Sequence, residues 1–266
     1  MRIPLFALTV LLATAAGARS QTIKVVSPGT PAAPVANKPL SLDDHLNSWE
    51  SKMRAVQSLK ADINRLDKNK NFGSTSKYSG SALYAKSGTG PTALNMAALE
   101  LTQEKKTEFA EKVICTGTYL YQYVPSQKEI RAYAIAKSKP GQVGEDSFLG
   151  FLFGMKAEDA KKQYNLSLFK VDAHYVYIDV SPKTAAGKAD FTRARMVLDK
   201  TTYMPRQLWF EEANGNEITW DIPRIQQNVE VDRRLFDTPR VPAGWKLVPV
   251  KSAAADTTQA PRVIRK

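Results

Sequence analysis

The first regular pattern of apolar residues lies between residues 41 and 59. Apolar side chains recur there at spacings of three or four, the period of one face of an α-helix: Leu46, Trp49, Met53, Val56 and Leu59. Ser41 precedes this stripe, and Asp44 stands three positions after Ser41, in the arrangement of a capping box. The pattern predicts a helix that begins at Ser41 and buries one apolar stripe.

From about residue 60 the apolar period changes to two, which is the period of β-strands. In the segment 174–180, for example, Val176, Ile178 and Val180 share one face, and Tyr175, Tyr177 and Asp179 share the other. Such alternation is typical of antiparallel strands with one covered face and one face in water. Ten segments are predicted as strands: 79–87, 92–102, 112–117, 118–124, 129–136, 166–172, 174–180, 190–199, 205–212 and 216–222.

The order of these segments restricts the fold class. Asn214-Gly215 stands between two alternating runs and is a strong hairpin signal. Strands that follow one another without interleaved helices exclude a parallel α/β fold. We therefore expect an α+β protein made mostly of antiparallel β-structure, with one large sheet that curls and so has a concave face.

One segment in the middle of the chain is strongly apolar. In "EDSFLGFLFGMKAED", residues 145–159, the apolar plug consists of Phe148, Leu149, Phe151, Leu152 and Phe153. A helix that is apolar on all sides is normally buried on all sides. Two interpretations remain open: the plug permanently closes the core, or it is a movable lid over a ligand cavity.

The two ends of the chain differ in character from the middle. Residues 1–20 begin with one basic residue, Arg2, before a short apolar run and small residues, which predicts a signal peptide; a retained membrane anchor is the alternative. Residues 21–40 are predicted to be a flexible lead-in, residues 41–249 one domain and residues 250–266 a disordered tail. The expected location is the periplasm or cell envelope, after removal of the signal peptide.

The composition is basic. The chain carries 38 Lys and Arg against 26 Asp and Glu, a formal net charge of +12. This favours contact with lipid headgroups, cell-wall polymers or nucleic acid, but export disfavours nucleic acid, and a solvated basic surface is the simpler reading. Cys115 is the only cysteine, so no intramolecular disulfide forms. We expect a buried strand residue there, with a reactive thiol as the alternative.

The sequence provides no candidate for catalysis, a cofactor or a metal. His45 and His174 do not stand in a metal-ligand spacing, and one cysteine adds little. The chain lacks a phosphate-binding glycine loop and a G-x-S-x-G elbow. The adjacent acids Glu211 and Glu212 would point to opposite faces of a strand. The expected protein is therefore not an enzyme.

Several motifs resemble those of the periplasmic lipoprotein carriers of the LolA type. "EFAEKVICTGTYLYQYVPSQKEIRAYAI" is similar to their strand, turn and aromatic strand, with the turn at Thr116-Gly117. "SGSALYAKS" resembles the preceding strand, "LWFEEANGNEITWDI" a later hairpin, and "RLFDTPRVPAGWKLV" the closing pattern. The resemblance spans about residues 42 to 248. Exported LolA-like proteins of unassigned role from planctomycete-type bacteria are more similar still.

The resemblance implies a curled open half-barrel of about ten strands, with an N-terminal helix and a mid-chain helical lid over the concave face. It implies that acyl chains bind there without catalysis. The candidate lining residues are Leu94, Met96, Leu99, Leu101, Phe148, Leu149, Leu152 and Phe153; ordinary core packing is the alternative for each. Where the carriers have an arginine that couples lid opening to release, this chain has Lys86, Ser87 and Gly88, so a release switch is in doubt.

Two functions are therefore expected from the sequence. The first is a non-enzymatic exported carrier or binding protein for the acyl chain of a lipid or lipoprotein, which could also meet the envelope membrane or a membrane-bound donor or acceptor protein. The alternative is a cell-envelope interaction module with a solid core, which binds anionic polymer or protein through a basic outer face.

Overall fold

The structure is a computed structural model, and it describes residues 39–88, 93–135 and 157–250. The signal peptide expected at 1–20, most of the lead-in expected at 21–40, the plug and the tail after Val250 lie outside the described residues. Within the described ranges, no helix has the length and apolar character needed to cross a membrane.

Three α-helices and twelve strands are formed by the described residues. The helices are α1 (Leu42–Ala55), α2 (Ala157–Gln163) and α3 (Ala185–Asp190). The strands are β1 (Ser58–Asn69), β2 (Ser74–Ser87), β3 (Leu94–Gln103), β4 (Phe109–Cys115), β5 (Tyr119–Val124), β6 (Glu129–Ala134), β7 (Tyr164–Val171), β8 (Tyr175–Pro182), β9 (Arg193–Asp199), β10 (Pro205–Glu211), β11 (Glu217–Gln227) and β12 (Lys246–Val250).

The strands form one open sheet in the order β12-β6-β5-β4-β3-β2-β1-β11-β10-β9-β8-β7. All neighbouring strands are antiparallel except β12 and β6, which run parallel. The predicted fold class, a large and mostly antiparallel open sheet with an N-terminal helix, is confirmed. The turn at Asn214-Gly215 is also as predicted, since Gly215 adopts φ +83° between β10 and β11.

Two strands were absent from the sequence prediction. Strand β1 lies in the middle of the sheet, between β2 and β11. Its charged second half, from Arg65 to Asn69, hid the two-residue period of Leu59, Ala61 and Ile63. Strand β12 pairs with β6 at the sheet edge directly after Trp245, which packs against the cluster around Tyr121 and Ile130. No local pattern in the sequence indicates this pairing.

Helix α1 begins as predicted and ends earlier than the apolar stripe. The Asp44 carboxylate accepts from the Ser41 backbone N–H at 2.8 Å, and the Ser41 Oγ accepts from the Asp44 N–H at 3.3 Å, completing the capping box. The helix stops at Ala55, where Val56 turns to an extended conformation. Leu59 belongs to β1 and not to the helix, yet it is buried in the same core as the stripe.

The two faces of the sheet are covered by different parts of the chain. We call the face that α1 contacts the inner face; there Leu46, Trp49 and Met53 pack among apolar side chains of β8, β9 and β10, including Ile178, Met196 and Leu208. The opposite, outer face is covered over β2 to β6 by the C-terminal segment that precedes β12. In that segment Phe236 packs against Ala85 and Met96, and Trp245 packs against the cluster around Tyr121 and Ile130.

A buried histidine joins α1 to the sheet. His45 is 1% exposed, and its Nδ1 lies 2.9 Å from the Tyr203 hydroxyl in the β9–β10 turn. Burial lowers the pKa of His45; the nearby Asp44 carboxylate opposes this effect, and the Lys200 ammonium adds to it. A neutral imidazole is therefore the form that fits between the helix and the turn.

This arrangement predicts a pH-dependent stability that depends on His45. Because its pKa is lower in the folded chain, the unfolded chain binds the proton first as the pH falls below about 6.5. We expect the free energy of unfolding to decrease between about pH 7 and pH 5, with a slope of at most about 1.4 kcal/mol per pH unit from this group. Urea unfolding of the parent and of His45→Gln at each pH measures the slope, which should be shallower in the variant. Equal slopes would show that His45 does not carry the effect.

Candidate functional site

The inner face of the sheet divides into two parts. Helix α1 fills the part over β7 to β11, where Trp49 is fully buried. Helix α2 is attached beside α1: the Ala157 N–H donates to the Glu50 carboxylate at 3.0 Å, and Lys161 pairs with Asp43 at 2.6 Å. This part of the inner face is therefore covered by closely packed side chains of the protein itself.

The part of the inner face over β2 to β5 carries small and medium apolar side chains. The strand register places Ala82, Leu99 and Val113 side by side in one row, which Gln122 of β5 continues, and Ala97, the buried Cys115 and Leu120 in the next. We call the five half-buried apolar residues of these rows the inner trough: Ala82, Ala97, Leu99, Val113 and Leu120. All five are half-buried, and none belongs to the core that α1 forms in the described part of the chain.

A half-buried arginine lies at one end of the trough. Arg65 of β1 pairs with Asp67 at 2.7 Å and with Glu111 of β4 at 2.5 Å, and its guanidinium lies over the rings of Tyr78 and Trp220. Burial alone would lower the pKa of Arg65, but the two carboxylates outweigh it and raise the pKa above the ordinary value. The cation therefore stays charged in this closed position. Beneath it lies a small apolar cluster: Ala61, Ile63, Leu101 and Ile222.

The pair of Arg65 and Glu111 also requires the sheet to curl. Strands β2 and β3 lie between β1 and β4. In a flat sheet the outer two of these four strands would be about 14 Å apart, at about 4.8 Å per step. Since the two charged groups touch on the inner face, that face is concave at this end.

The four strand residues predicted to line a cavity do not share one face. No bulge interrupts the pairing of β2 with β3 from Leu94 to Gln103, so Leu94 and Met96 point opposite to Leu99 and Leu101. Met96 is buried against Phe236 on the outer face, and Leu94 is 39% exposed. Leu101 is fully buried beneath Arg65, and Leu99 lies in the trough.

The plug residues Phe148, Leu149, Leu152 and Phe153 lie outside the described residues. In sequence, their segment joins β6 to α2, which lies beside α1. Their lining role remains a prediction from the sequence.

Lys86, the residue before Ser87 at the end of β2, contacts α1. Lys86 Nζ donates to the Arg54 carbonyl oxygen, in the last turn of α1, at 2.9 Å. Burial lowers the pKa of Lys86. Strand β2 is thus linked to the helix by a cation, although Ser87 itself takes the arginine's place at the strand end.

Sequence reasoning also missed a polar groove on the outer face of β7 to β10. It has a volume of about 190 Å³ and is lined by residues that include Asn165, Ser167, Asp179, Arg195 and Trp209. Both arginines at the groove are paired: Arg195 with Asp179 at 2.6 Å and Arg193 with Glu211 at 2.5 Å. No local sequence signal brings these strands together, because the groove forms only by cross-strand pairing.

The single cysteine is a buried strand residue, as predicted. Cys115 is 4% exposed, and its Sγ lies 3.5 Å from the Asn95 carbonyl oxygen. Burial raises the pKa of this thiol, which disfavours the reactive thiolate. Among the described residues, no group of three or more His, Cys, Asp or Glu side chains could hold a metal ion.

No protein-family model matches the chain, and no curated protein matches it. Similar solved structures include a DUF1329 family protein from Desulfovibrio piger, at 11% identity and a TM-score of 0.43, covering 73% of this chain and 96% of that one. Another is the MucA/MucB complex of Pseudomonas aeruginosa, at 13% identity and a TM-score of 0.42, covering 74% of this chain and 60% of that one. A third is a LolA superfamily protein from Nitrosomonas europaea, at 10% identity and a TM-score of 0.36, covering 75% of this chain and 98% of that one.

Structural neighbours of the chain include LolA-like proteins. Since the identities are 10 to 13% and the TM-scores are below 0.5, function has to be inferred from the side chains of this protein itself.

The closing arginine pair makes a prediction about stability. Replacing Glu111 by Ala removes the link between β4 and β1 and leaves Arg65 with Asp67 alone. We expect the free energy of unfolding in urea to fall by about 1 to 2 kcal/mol.

The matched control is Asp62→Ala, which removes the carboxylate partner of Arg224 in a more exposed pair between β1 and β11. That loss should stay within about 0.5 kcal/mol. Equal losses of unfolding free energy in the two variants would mean that the pair of Glu111 and Arg65 stabilises the sheet no more than an exposed pair does.

Proposed function

We propose that the protein is a non-enzymatic carrier or binding protein for acyl chains of lipids or lipoproteins, which lie against the inner trough. The observation that carries the proposal is the row of half-buried apolar side chains on the inner face, Ala82, Ala97, Leu99, Val113 and Leu120, beside a helix that fills only the other part of the hollow.

The chemistry of the trough suits an acyl chain. Its members have no charge and no hydrogen-bonding side chain, so a hydrocarbon loses nothing by replacing water there. Burial of one methylene contributes about 0.8 kcal/mol, and a chain of about 14 to 16 carbons could contribute about 10 kcal/mol before the loss of entropy on binding.

The alternative, a basic outer face that binds anionic polymer or protein, has less support. On the outer face of β8 to β11, four arginines are already bonded to carboxylates: Arg193 to Glu211, Arg195 to Asp179, Arg206 to Asp221 and Arg224 to Asp62. An anionic polymer would have to displace these carboxylates before it could bond to the arginines.

A substitution on each face of β3 tests the proposal. Leu99→Asp puts a carboxylate into the trough, and Leu94→Asp makes the same change at an exposed leucine on the outer face of the same strand. With a fluorescent fatty acid as probe, we expect Leu99→Asp to weaken binding by about tenfold or more, because a charge beside the hydrocarbon is costly to bury.

Leu94→Asp should bind the fatty acid as the parent does. Circular dichroism must first confirm that both variants are folded. A parent chain that takes up no probe, even after extraction of co-purified lipid checked by native mass spectrometry, would overturn the proposal. Equal weakening in both variants would show that the fatty acid does not bind in the trough.

A further inference from the structure

The inner trough is followed by a group of polar side chains on β5 and β6. Gln122 of β5 continues the trough row after Val113, and Arg131 of β6 lies opposite Gln122. Tyr133, two residues further along β6, points to the same face. We call Gln122, Arg131 and Tyr133 the polar rim. The residues that alternate with them belong to the outer-face cluster around Trp245, so the polar rim lies on the inner face, beside the trough.

The polar rim has hydrogen-bond donors to offer a ligand. The Tyr133 hydroxyl donates to the Gln122 side-chain oxygen at 3.3 Å, and no described residue accepts from the Gln122 amide nitrogen. Arg131 Nη2 donates to the Gln127 side-chain oxygen, a neutral acceptor, at 2.6 Å. The Arg131 side chain is 35% exposed. Within the described part of the chain, most N–H groups of its guanidinium therefore remain for a ligand.

Arg131 has the longest ion pair among the paired arginines of the described residues. The Glu129 carboxylate lies 3.5 Å from its Nε, beyond the limit of about 3.2 Å for an N–H···O hydrogen bond. The other paired arginines each have a carboxylate oxygen within 2.8 Å: Arg54, Arg65, Arg193, Arg195, Arg206, Arg224 and Arg234. Arg131 is therefore a cation to which no carboxylate in the described ranges is closely bonded.

The charges around the polar rim have a positive sum. From β5 to the end of β6 and along β12, the cations are Lys128, Arg131 and Lys246, and the one acid is Glu129. Lys128 and Lys246 are adjacent, since the Lys246 N–H donates to the Lys128 carbonyl oxygen at 2.9 Å. On β4 the acid is Glu111, which is bonded to the arginine at the other end of the trough. The β3–β4 turn beyond it contains two glutamates and two lysines.

We propose that the polar rim binds the anionic head group of the acyl ligand, a carboxylate or a phosphate, while the hydrocarbon lies in the inner trough. A guanidinium with N–H groups to spare and a neighbouring amide N–H form charge-assisted hydrogen bonds with such oxygens. The proposal rests on the proposed acyl-chain function and narrows it: the ligand is a lipid with a charged head group, and not a chain attached through a neutral ester or amide.

The order of the strands places the head group and the hydrocarbon in one line. A chain that starts at Arg131 on β6 and runs across the strands passes Gln122, Val113 and Leu99 in turn. From Arg131 to Leu99 there are three steps between strands, about 14 Å at about 4.8 Å per step. The donors therefore stand at the end of an apolar row and not within it, as a ligand with one charged end requires.

A matched pair of probes tests the head-group site: a pyrene-labelled fatty acid and its methyl ester, which has the same hydrocarbon without the charge. We expect Arg131→Gln to weaken binding of the acid by about tenfold and to leave binding of the ester as in the parent. The matched control is Arg224→Gln, which removes an arginine that has its own carboxylate partner on the outer face. This variant should bind both probes as the parent does.

A second variant should change the affinity in the opposite direction. Glu129→Gln removes the carboxylate nearest to Arg131, so binding of the acid should become about threefold tighter, with no change for the ester. Unlabelled palmitate and palmitoyl lysophosphatidate then serve as competitors. The stronger displacement by one of them tells whether the head group is a carboxylate or a phosphate.

Two outcomes would overturn the head-group site alone: an Arg131→Gln variant that binds the acid as well as the parent does, or one that loses acid and ester equally while circular dichroism shows it folded. A parent chain that binds neither probe would overturn the acyl-chain function, and the head-group site with it. Leu99→Asp should weaken binding of both probes, because it changes the site of the hydrocarbon. Failure of the head-group site is therefore distinguishable from failure of the acyl-chain function.

Discussion

The packing of α1 on the inner face is the contact on which the rest of the structure depends. An open sheet of twelve strands has two faces to protect from water, and its inner face is apolar along most strands. Trp49, Leu46 and Met53 belong to a core that takes most of its strand residues from β7 to β11, with Leu59 of β1 and Tyr84 of β2 at its border. Among the described residues, the inner trough lies outside this core and its apolar side chains are half-buried.

Curvature decides how the uncovered part is shaped. Arg65 reaches Glu111 across two intervening strands, and its guanidinium is enclosed by Tyr78 and Trp220. The half-buried cation is tolerated there because carboxylates accept its hydrogen bonds and aromatic faces cover part of the remainder. The pair places polar groups at one end of the inner trough.

Many of the cations behind the net charge of +12 are paired with carboxylates. On the outer face of β8 to β11, arginines are neutralised locally by cross-strand carboxylates. At the end of the sheet where β1 meets β2, Lys68 and Lys70 share the carboxylate of Glu217. Total charge therefore says little about where a basic protein meets an anionic surface; the pairing of individual side chains does.

The sequence alone determined the elements whose causes are local. The capping box at Ser41, the alternation of Val176, Ile178 and Val180, and the turn at Asn214-Gly215 depend on neighbours within a few residues, and all are present in the structure. What the sequence could not determine depends on pairing across the sheet. Leu94 and Met96 were predicted to line the same cavity as Leu99 and Leu101, but β3 runs without a bulge through its pairing with β2, so the two pairs lie on opposite faces. Only the tertiary structure decided which face is inner, which face Phe236 covers, and that Arg65 pairs with Glu111. Residues far apart in the chain make those contacts.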